Sequence, residues 1–177
     1  MVLRLEIPPQ LPDGMSSREL TQAAARGISN ALKRHFRAKN QSAKHRNGMP
    51  RSNFWSKVAD ATQTTMEGNT AVVLVDHEGV LLHLEGGTIY PKAGRKALAI
   101  PLVAAVWDQN PREYDSSREK LSLVWPKGSS AGTLRDKETG EAWYLLVAKA
   151  NIPRDPGVVP ADEELVQAGF DAMEALS

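Results

Sequence analysis

The chain has 177 residues and a formal net charge of +1, and this length suits a single domain with a core of its own. It contains no cysteine, which excludes disulfide scaffolds, thiolate zinc sites, iron–sulfur clusters and cysteine nucleophiles. No apolar run approaches the roughly 18 residues of a membrane span, and the N-terminus lacks the apolar core of a secretory signal, so the sequence predicts a soluble protein.

The N-terminal third of the sequence predicts an arm, a long helix and a basic loop. Prolines and glycine exclude helix from residues 1–15, which we expect to form an arm. Ser16 and Glu19 form a capping pair before a helical stripe, so a helix is predicted over about 17–39. Turn formers and cations predict a mobile loop over 40–53. A short helix beginning with Phe54-Trp55 follows.

Short apolar and β-branched runs predict strands in the rest of the chain, at 70–75, 97–102, 121–125 and 142–150. The run 80–84 fits either a strand or a helical turn. Three prolines predict an extended linker over 151–160. The last segment predicts an amphipathic helix whose apolar stripe consists of Val166, Gly169, Phe170, Met173 and Leu176.

Strands that are grouped together between helices predict the α+β class. We expect an N-terminal helix pair, a mostly antiparallel sheet of about four to six strands, and a C-terminal helix. These elements are predicted to form a single domain over residues 16–177.

Two short matches to catalytic motifs have simpler interpretations. Residues 128–132, GSSAG, match Gly-x-Ser-x-Gly with Ser130 as the nucleophile. All the histidines, however, precede Ser130, and the surrounding residues favour a flexible turn over a nucleophile elbow. The Ser-x-x-Lys match at 117–120 lacks its companion motifs. We therefore predict that the protein is not an enzyme and has no catalytic residues.

A group of side chains with metal-ligand chemistry occurs around the turn after residue 75, and it consists of Asp76, His77, Glu78, His83 and Glu85. Its spacing matches no recognised metal site, so a polar turn with a packed histidine is the favoured interpretation. The adjacent Gly86-Gly87 pair lacks a phosphate-loop pattern and is expected to form a turn. No metal and no cofactor are predicted.

The basic residues are concentrated between Leu20 and Ala59, where the sequence has no Asp or Glu. A solvated helix face and loop account for this charge most simply. Two alternatives are docking on an acidic protein surface and binding to DNA phosphates through the segment 26–57. The basic contact surface for these alternatives consists of Arg34, Arg37, Lys39, Lys44, Arg46 and Arg51.

Residues 82–102, LHLEGGTIYPKAGRKALAIPL, resemble a segment of the bacteriophage virion-morphogenesis family, which includes minor tail, neck and tail-completion proteins. The resembling positions are Leu82, His83, Gly86, Gly87, Ile89, Pro91, Lys92, Leu98, Ala99, Ile100, Pro101 and Leu102. Glu85 departs from the pattern, since an aromatic residue is often found there. The order of elements is also similar, from the long helix to "WYLLVAKANIPRDPGVVP" and the last helix, so the resemblance covers roughly residues 15–177.

The resemblance implies a structural protein without an active site that assembles into rings at the head–tail junction or the tail end. Its partners would be other virion proteins, of the tail tube, neck or connector, and copies of itself. A membrane is not among the expected partners, and nucleic acid is the less favoured alternative. Such a protein would occupy the host cytoplasm during assembly and then the virion.

From the residues themselves, we expect 82–102 to form a hairpin that contacts a neighbouring subunit, because an edge strand closed by Pro101 is suited to pairing between chains. The predicted contact residues are His83, Gly86, Gly87, Ile89, Pro91, Lys92, Leu98, Ile100 and Pro101.

Overall fold

The computed structural model describes residues 5–6, 17–42, 49, 52–117 and 119–176. The α-helices are α1 (Ser17–Ser42), α2 (Phe54–Asp60), α3 (Glu78–Glu85), α4 (Pro111–Tyr114) and α5 (Asp162–Glu174), with short 3₁₀ helices at Ala104–Val106 and Pro156–Val158. The strands are β1 (Leu5–Glu6), β2 (Thr62–Glu67), β3 (Thr70–Val75), β4 (Gly87–Ile89), β5 (Leu98–Pro101), β6 (Leu121–Val124), β7 (Ala131–Asp136), β8 (Ala142–Val147) and β9 (Ala150–Ile152).

The chain divides into two compact units, where the sequence predicted one domain over 16–177. Among the described residues, unit 1 comprises 5–6, 17–42, 53–86 and 153–176, and unit 2 comprises 49, 52, 87–117 and 119–152. The chain therefore leaves unit 1 after Gly86 and returns to it at Pro153. Local sequence patterns do not indicate that unit 1 is discontinuous in the chain, because each unit contains both helical and strand segments.

Unit 1 is built around α1, whose predicted stripe is confirmed by the burial of Leu20, Ala24, Ile28, Leu32 and Phe36. One side of this core is a three-stranded antiparallel sheet in the order β1-β3-β2. The central strand β3 contributes buried valines, as its β-branched sequence predicts. The pairing of β2 with β3 is regular from end to end, from Thr62 opposite Val75 to Glu67 opposite Thr70.

Helix α5 packs against α1 through a face that differs from the predicted stripe. Leu165 and Gly169 are buried, whereas Val166, Phe170 and Leu176 are exposed. The prediction was therefore wrong for most of the stripe, because the small side chains of α5 allow a closer approach to α1 than the large ones do. Of the five residues of the predicted stripe, only Gly169 is buried, and Met173 is half-buried.

Unit 2 contains a four-stranded antiparallel sheet in the order β5-β8-β7-β6 and a two-stranded antiparallel pair, β4-β9. Tyr144 of β8 is completely buried, and its hydroxyl donates to the Gln109 carbonyl at 3.3 Å. Burial also raises the pKa of this hydroxyl. The turn between β7 and β8 is held by Asp136, whose Oδ1 accepts the Thr139 N–H at 2.8 Å.

The described residues therefore confirm the α+β class with an N-terminal helix pair, antiparallel strands and a C-terminal helix. The strands are distributed among three sheets in these residues instead of one sheet of four to six strands. The run 80–84, which the sequence left open, is helical and belongs to α3.

Candidate functional site

The stretch 82–102 does not form the predicted contact hairpin. Its first residues lie in α3, β4 pairs with β9, and β5 pairs with β8. Gly86 ends α3 with φ 74°, a conformation that favours glycine. The hairpin interpretation was wrong because the Gly-Gly pair ends a helix and does not join two strands that pair with each other.

The predicted contact residues are consequently spread over several elements. His83 lies in α3, Gly86 follows it, Gly87 and Ile89 lie in β4, Pro91 and Lys92 follow β4, and Leu98, Ile100 and Pro101 lie in β5. The β4-β9 pair is joined by a hydrogen bond from Thr88 Oγ1 to Asn151 Oδ1 at 2.9 Å. Ile89 is exposed, and so is Tyr90, to 64%. This pair therefore presents apolar surface to solvent.

Strand β5 is an edge strand, as predicted, but its outer edge has little capacity to pair. The Leu102 N–H donates to the Trp143 carbonyl of the β8 side at 2.8 Å. Because peptide groups alternate along an antiparallel strand, those of Ala99 and Pro101 point away from β8. Proline has no N–H, so within β5 only Ala99 offers an outward donor. Pro101 protects this edge.

Residues from distant parts of unit 1 meet in what we call the Lys39 cluster, which consists of Lys39, Trp55, His83, Asp155 and Gly157. The Lys39 Nζ lies 2.7 Å from Asp155 Oδ2, donates to the Gly157 carbonyl at 3.0 Å, and is 5.2 Å from the Trp55 ring centroid. The Asp155 N–H donates to the His83 carbonyl at 2.8 Å. The cluster thereby connects α1, α2 and α3 to the segment after β9.

His77 and His83, which the sequence analysis considered as metal ligands and interpreted as packed side chains, pack against aromatic rings. The His83 ring centroid lies 4.9 Å from that of Phe54 and 5.2 Å from that of Trp55. The His77 ring centroid lies 4.8 Å from that of Phe54, and the His77 Nδ1 accepts the Gly79 N–H at the start of α3. In the part of the chain that the structure describes, no three His, Asp or Glu residues are grouped as metal ligands would be.

The charges of the Lys39 cluster shift two pKa values. The hydrogen bond from Lys39 holds the pKa of Asp155 below its usual range, and the Gly157 N–H contributes in the same direction. Burial lowers the pKa of His83, Asp155 opposes this shift, and the charge of Lys39 adds to it. Both shifts favour the state with an ionised Asp155 and a neutral His83.

We expect Asp155→Asn to lower the free energy of unfolding at pH 7 by about 1 kcal/mol, a modest value because both partners of the ion pair reach solvent. The lowered pKa of Asp155 means that the wild-type advantage is present above the unfolded pKa of about 3.9 and is lost as pH falls through the folded value. Urea unfolding at pH 7 and pH 3 measures the difference. Asp76→Asn, at an exposed position, is the control, and a wild-type advantage that is equal at both pH values would contradict the prediction.

The predicted basic surface is partly neutralised within the described residues. Lys39 belongs to the Lys39 cluster, and the Arg37 Nη2 lies 3.5 Å from Asp60 Oδ1. Arg34 is exposed on α1. Lys44, Arg46 and Arg51, together with most of the predicted loop 40–53, lie outside the described residues.

The GSSAG segment has a structural explanation. The Trp125 Nε1 donates to the Ser129 carbonyl at 3.0 Å, and the Ser129 hydroxyl donates to the Ala131 carbonyl at 2.8 Å. A Cβ atom at Gly132 would lie only 2.3 Å from the Trp125 ring, so glycine provides the space for this ring. Strand β7 follows Ser130, whereas a nucleophile elbow leads into a helix.

Sequence reasoning missed Asp115, a buried residue of unit 2 that organises the start of β6. Its carboxylate accepts the N–H groups of Glu119, Lys120 and Leu121 at 2.8, 3.1 and 2.8 Å. Burial opposes ionisation of this carboxyl group, but these N–H groups hold its pKa below the usual range. The Asp-Ser-Ser sequence was an available signal, because Asp commonly caps turns in this way. The pairing of Lys39 with Asp155 had no local signal.

Comparisons of the chain with protein-family models, with curated proteins and with solved structures return no match. Among the described helices, none is both long and apolar enough to cross a membrane.

Proposed function

We propose that the protein is a structural component of bacteriophage or prophage virions, acting in tail completion or head–tail joining through contacts between ring-forming subunits. The observation that carries the proposal is the exposure of Ile89 at the end of β4 and of Tyr90 directly after it, within the segment that resembles virion-morphogenesis proteins. Exposed aromatic side chains such as Tyr90 are enriched at protein interaction surfaces.

The small size of the β4-β9 pair also supports a contact role. Each strand is only three residues long, and a two-stranded pair is marginally stable without a third strand or a packed face. A strand or apolar surface of a neighbouring virion protein would supply that support. Chain-to-chain contacts of this kind close into a ring when the same rotation repeats.

The other part of the resembling segment supports the fold instead of the contact. His83 is held in the Lys39 cluster by its backbone carbonyl and its ring. The segment "NIPRDPGVVP", which also belongs to the resemblance, supports the fold in the same way, because it includes Asp155 and Gly157 of the Lys39 cluster. The engagement of Lys39 and Arg37 by carboxylates reduces the free charge that the DNA-binding alternative requires, so assembly remains the proposal.

Deleting the gene is expected to reduce the yield of complete particles in lysates of the strain that carries it, with separate heads and tails in electron micrographs. A copy encoding the wild-type chain should restore complete particles, and Tyr90→Asp should not, because it places a charge on the proposed contact. Asn69→Asp adds the same charge at an exposed turn of unit 1 and should restore assembly. Normal particle yields from the deletion strain would contradict the proposal.

A further inference from the structure

The exposed residues Ile89 and Tyr90 belong to a cationic part of the surface of unit 2. Continuing the β4-β9 register by one residue places Lys149 beside Tyr90. The turn that follows is closed by the Arg95 N–H, which donates to the Lys92 carbonyl at 3.0 Å. We call this region the tip surface, and its residues, all exposed, are Ile89, Tyr90, Lys92, Arg95, Lys96 and Lys149.

The positive charge of the tip surface has no neutralising partner among the described residues. The sequence contains no Asp or Glu in residues 86–107 or 142–154, which include the whole tip surface. None of its four cations forms an ion pair within the described part of the chain. Such a surface attracts a partner of negative charge and repels a copy of itself.

Helix α5 carries the opposite charge next to exposed apolar side chains of its own. Val166 and Phe170 are four residues apart and lie on one helix face, where they are 53% and 52% exposed. Asp162 and Glu163, four and three residues before Val166, border the same face and are exposed. Residues 156–177 contain no Lys, Arg or His. We call these four residues the α5 surface.

We propose that the tip surface of one copy of the chain docks on the α5 surface of the next copy. The apolar side chains of the two surfaces contact each other, and the cations of the tip surface face the carboxylates of the α5 surface. This inference rests on the proposed function, because it uses the same contact residues, Ile89 and Tyr90, and names their partner.

Charge selects this pairing among the exposed apolar groups of the described residues. Two tip surfaces, or two α5 surfaces, would place like charges opposite one another, so neither supports a two-fold contact. The remaining exposed apolar group, at 123–125, has neighbours of both signs in Glu119, Lys120 and Lys127. The contact between the tip surface and the α5 surface is head-to-tail, and a head-to-tail contact that repeats by rotation closes into a ring.

Complementary variants of the full chain test the head-to-tail contact in solution. Tyr90→Asp blocks the tip surface and Phe170→Asp blocks the α5 surface, so neither variant should associate with itself. Their mixture retains one intact surface of each kind and should form a heterodimer and nothing larger in sedimentation velocity at about 100 μM of each chain. Asn69→Asp, at an exposed turn, leaves both surfaces intact and should form larger species. A mixture without heterodimer, or self-association of either blocked variant, would overturn the proposal.

Charge reversal in the same mixture tests what selects the partner. Glu163→Lys, added to the Tyr90→Asp chain, should weaken the heterodimer by about five-fold, because it places a cation opposite the tip surface. Glu138→Lys makes the same change at an exposed position outside both surfaces and should leave the affinity unchanged. Equal affinities of the two charge variants would refute the role of charge in the contact.

The contact and the proposed function can fail separately. A heterodimer in solution, together with normal particle yields from the deletion strain, would support the contact and contradict the role in the virion. A mixture without heterodimer, together with particles whose assembly requires Tyr90, would support the role in the virion and place the contact on another protein.

Discussion

Phe36→Ala is expected to lower the free energy of unfolding by about 3–5 kcal/mol, the range for truncating a fully buried aromatic side chain. Phe36 is 0% exposed in the core of unit 1, and its ring stacks on Trp55 with 6.0 Å between centroids and 7° between planes. The variant loses the transfer free energy of the ring and leaves a cavity beside the Lys39 cluster. Chemical denaturation monitored by far-ultraviolet circular dichroism measures this loss.

The matched control is Phe170→Ala, the same change on α5. Phe170 is 52% exposed, so its truncation should alter the free energy of unfolding by less than about 0.5 kcal/mol. The pair also tests the corrected face of α5, because the sequence placed Phe170 on the buried stripe. Comparable losses in both variants would mean that the stripe predicted from sequence is the packed one.

Gly27→Ala should destabilise the chain by about 1–3 kcal/mol, although alanine is the better helix former. A Cβ atom on Gly27 would lie 2.1 Å from the Ala168 carbonyl oxygen and 2.7 Å from the Ala172 Cβ. A backbone carbonyl cannot move aside as a flexible side chain can, so α5 must shift away from α1. Thermal and urea unfolding should both report the loss.

Gly169→Ala provides the control at the same helix contact, on α5. Its Cβ would meet Ile28 at 3.5 Å, which is an ordinary van der Waals distance. Alanine should therefore be accommodated and should stabilise α5 by up to about 1 kcal/mol. If both substitutions raise stability, the close approach of α1 and α5 at Gly27 is incorrect.

The sequence predicted those elements whose signals are local. The long helix was predicted from a capping pair and an apolar stripe, and α1 occupies Ser17–Ser42. The strand predicted at 70–75 is confirmed by β3. Strand β2 was missed because TQTTME alternates polar with half-buried residues and carries little apolar signal. Strand β7 was missed because glycine and serine near its start indicate a turn.

The interactions that define the candidate sites depend on which distant segments meet, and local patterns do not contain that information. Lys39 and Asp155 come together only because the segment after β9 packs on α1 and α3. The partners of β4 and β5 could not be predicted, because a hairpin and two separate pairings bury similar amounts of an apolar run. Pro101 correctly indicated an edge strand.

The most direct test of the account is quantitative mass spectrometry of purified virions from the strain that carries this gene, combined with immunogold electron microscopy. The proposed role in virion assembly predicts more than one copy of the chain per particle, with gold label at the neck or at the tail end. Purified, infectious particles that contain none of this protein would contradict it.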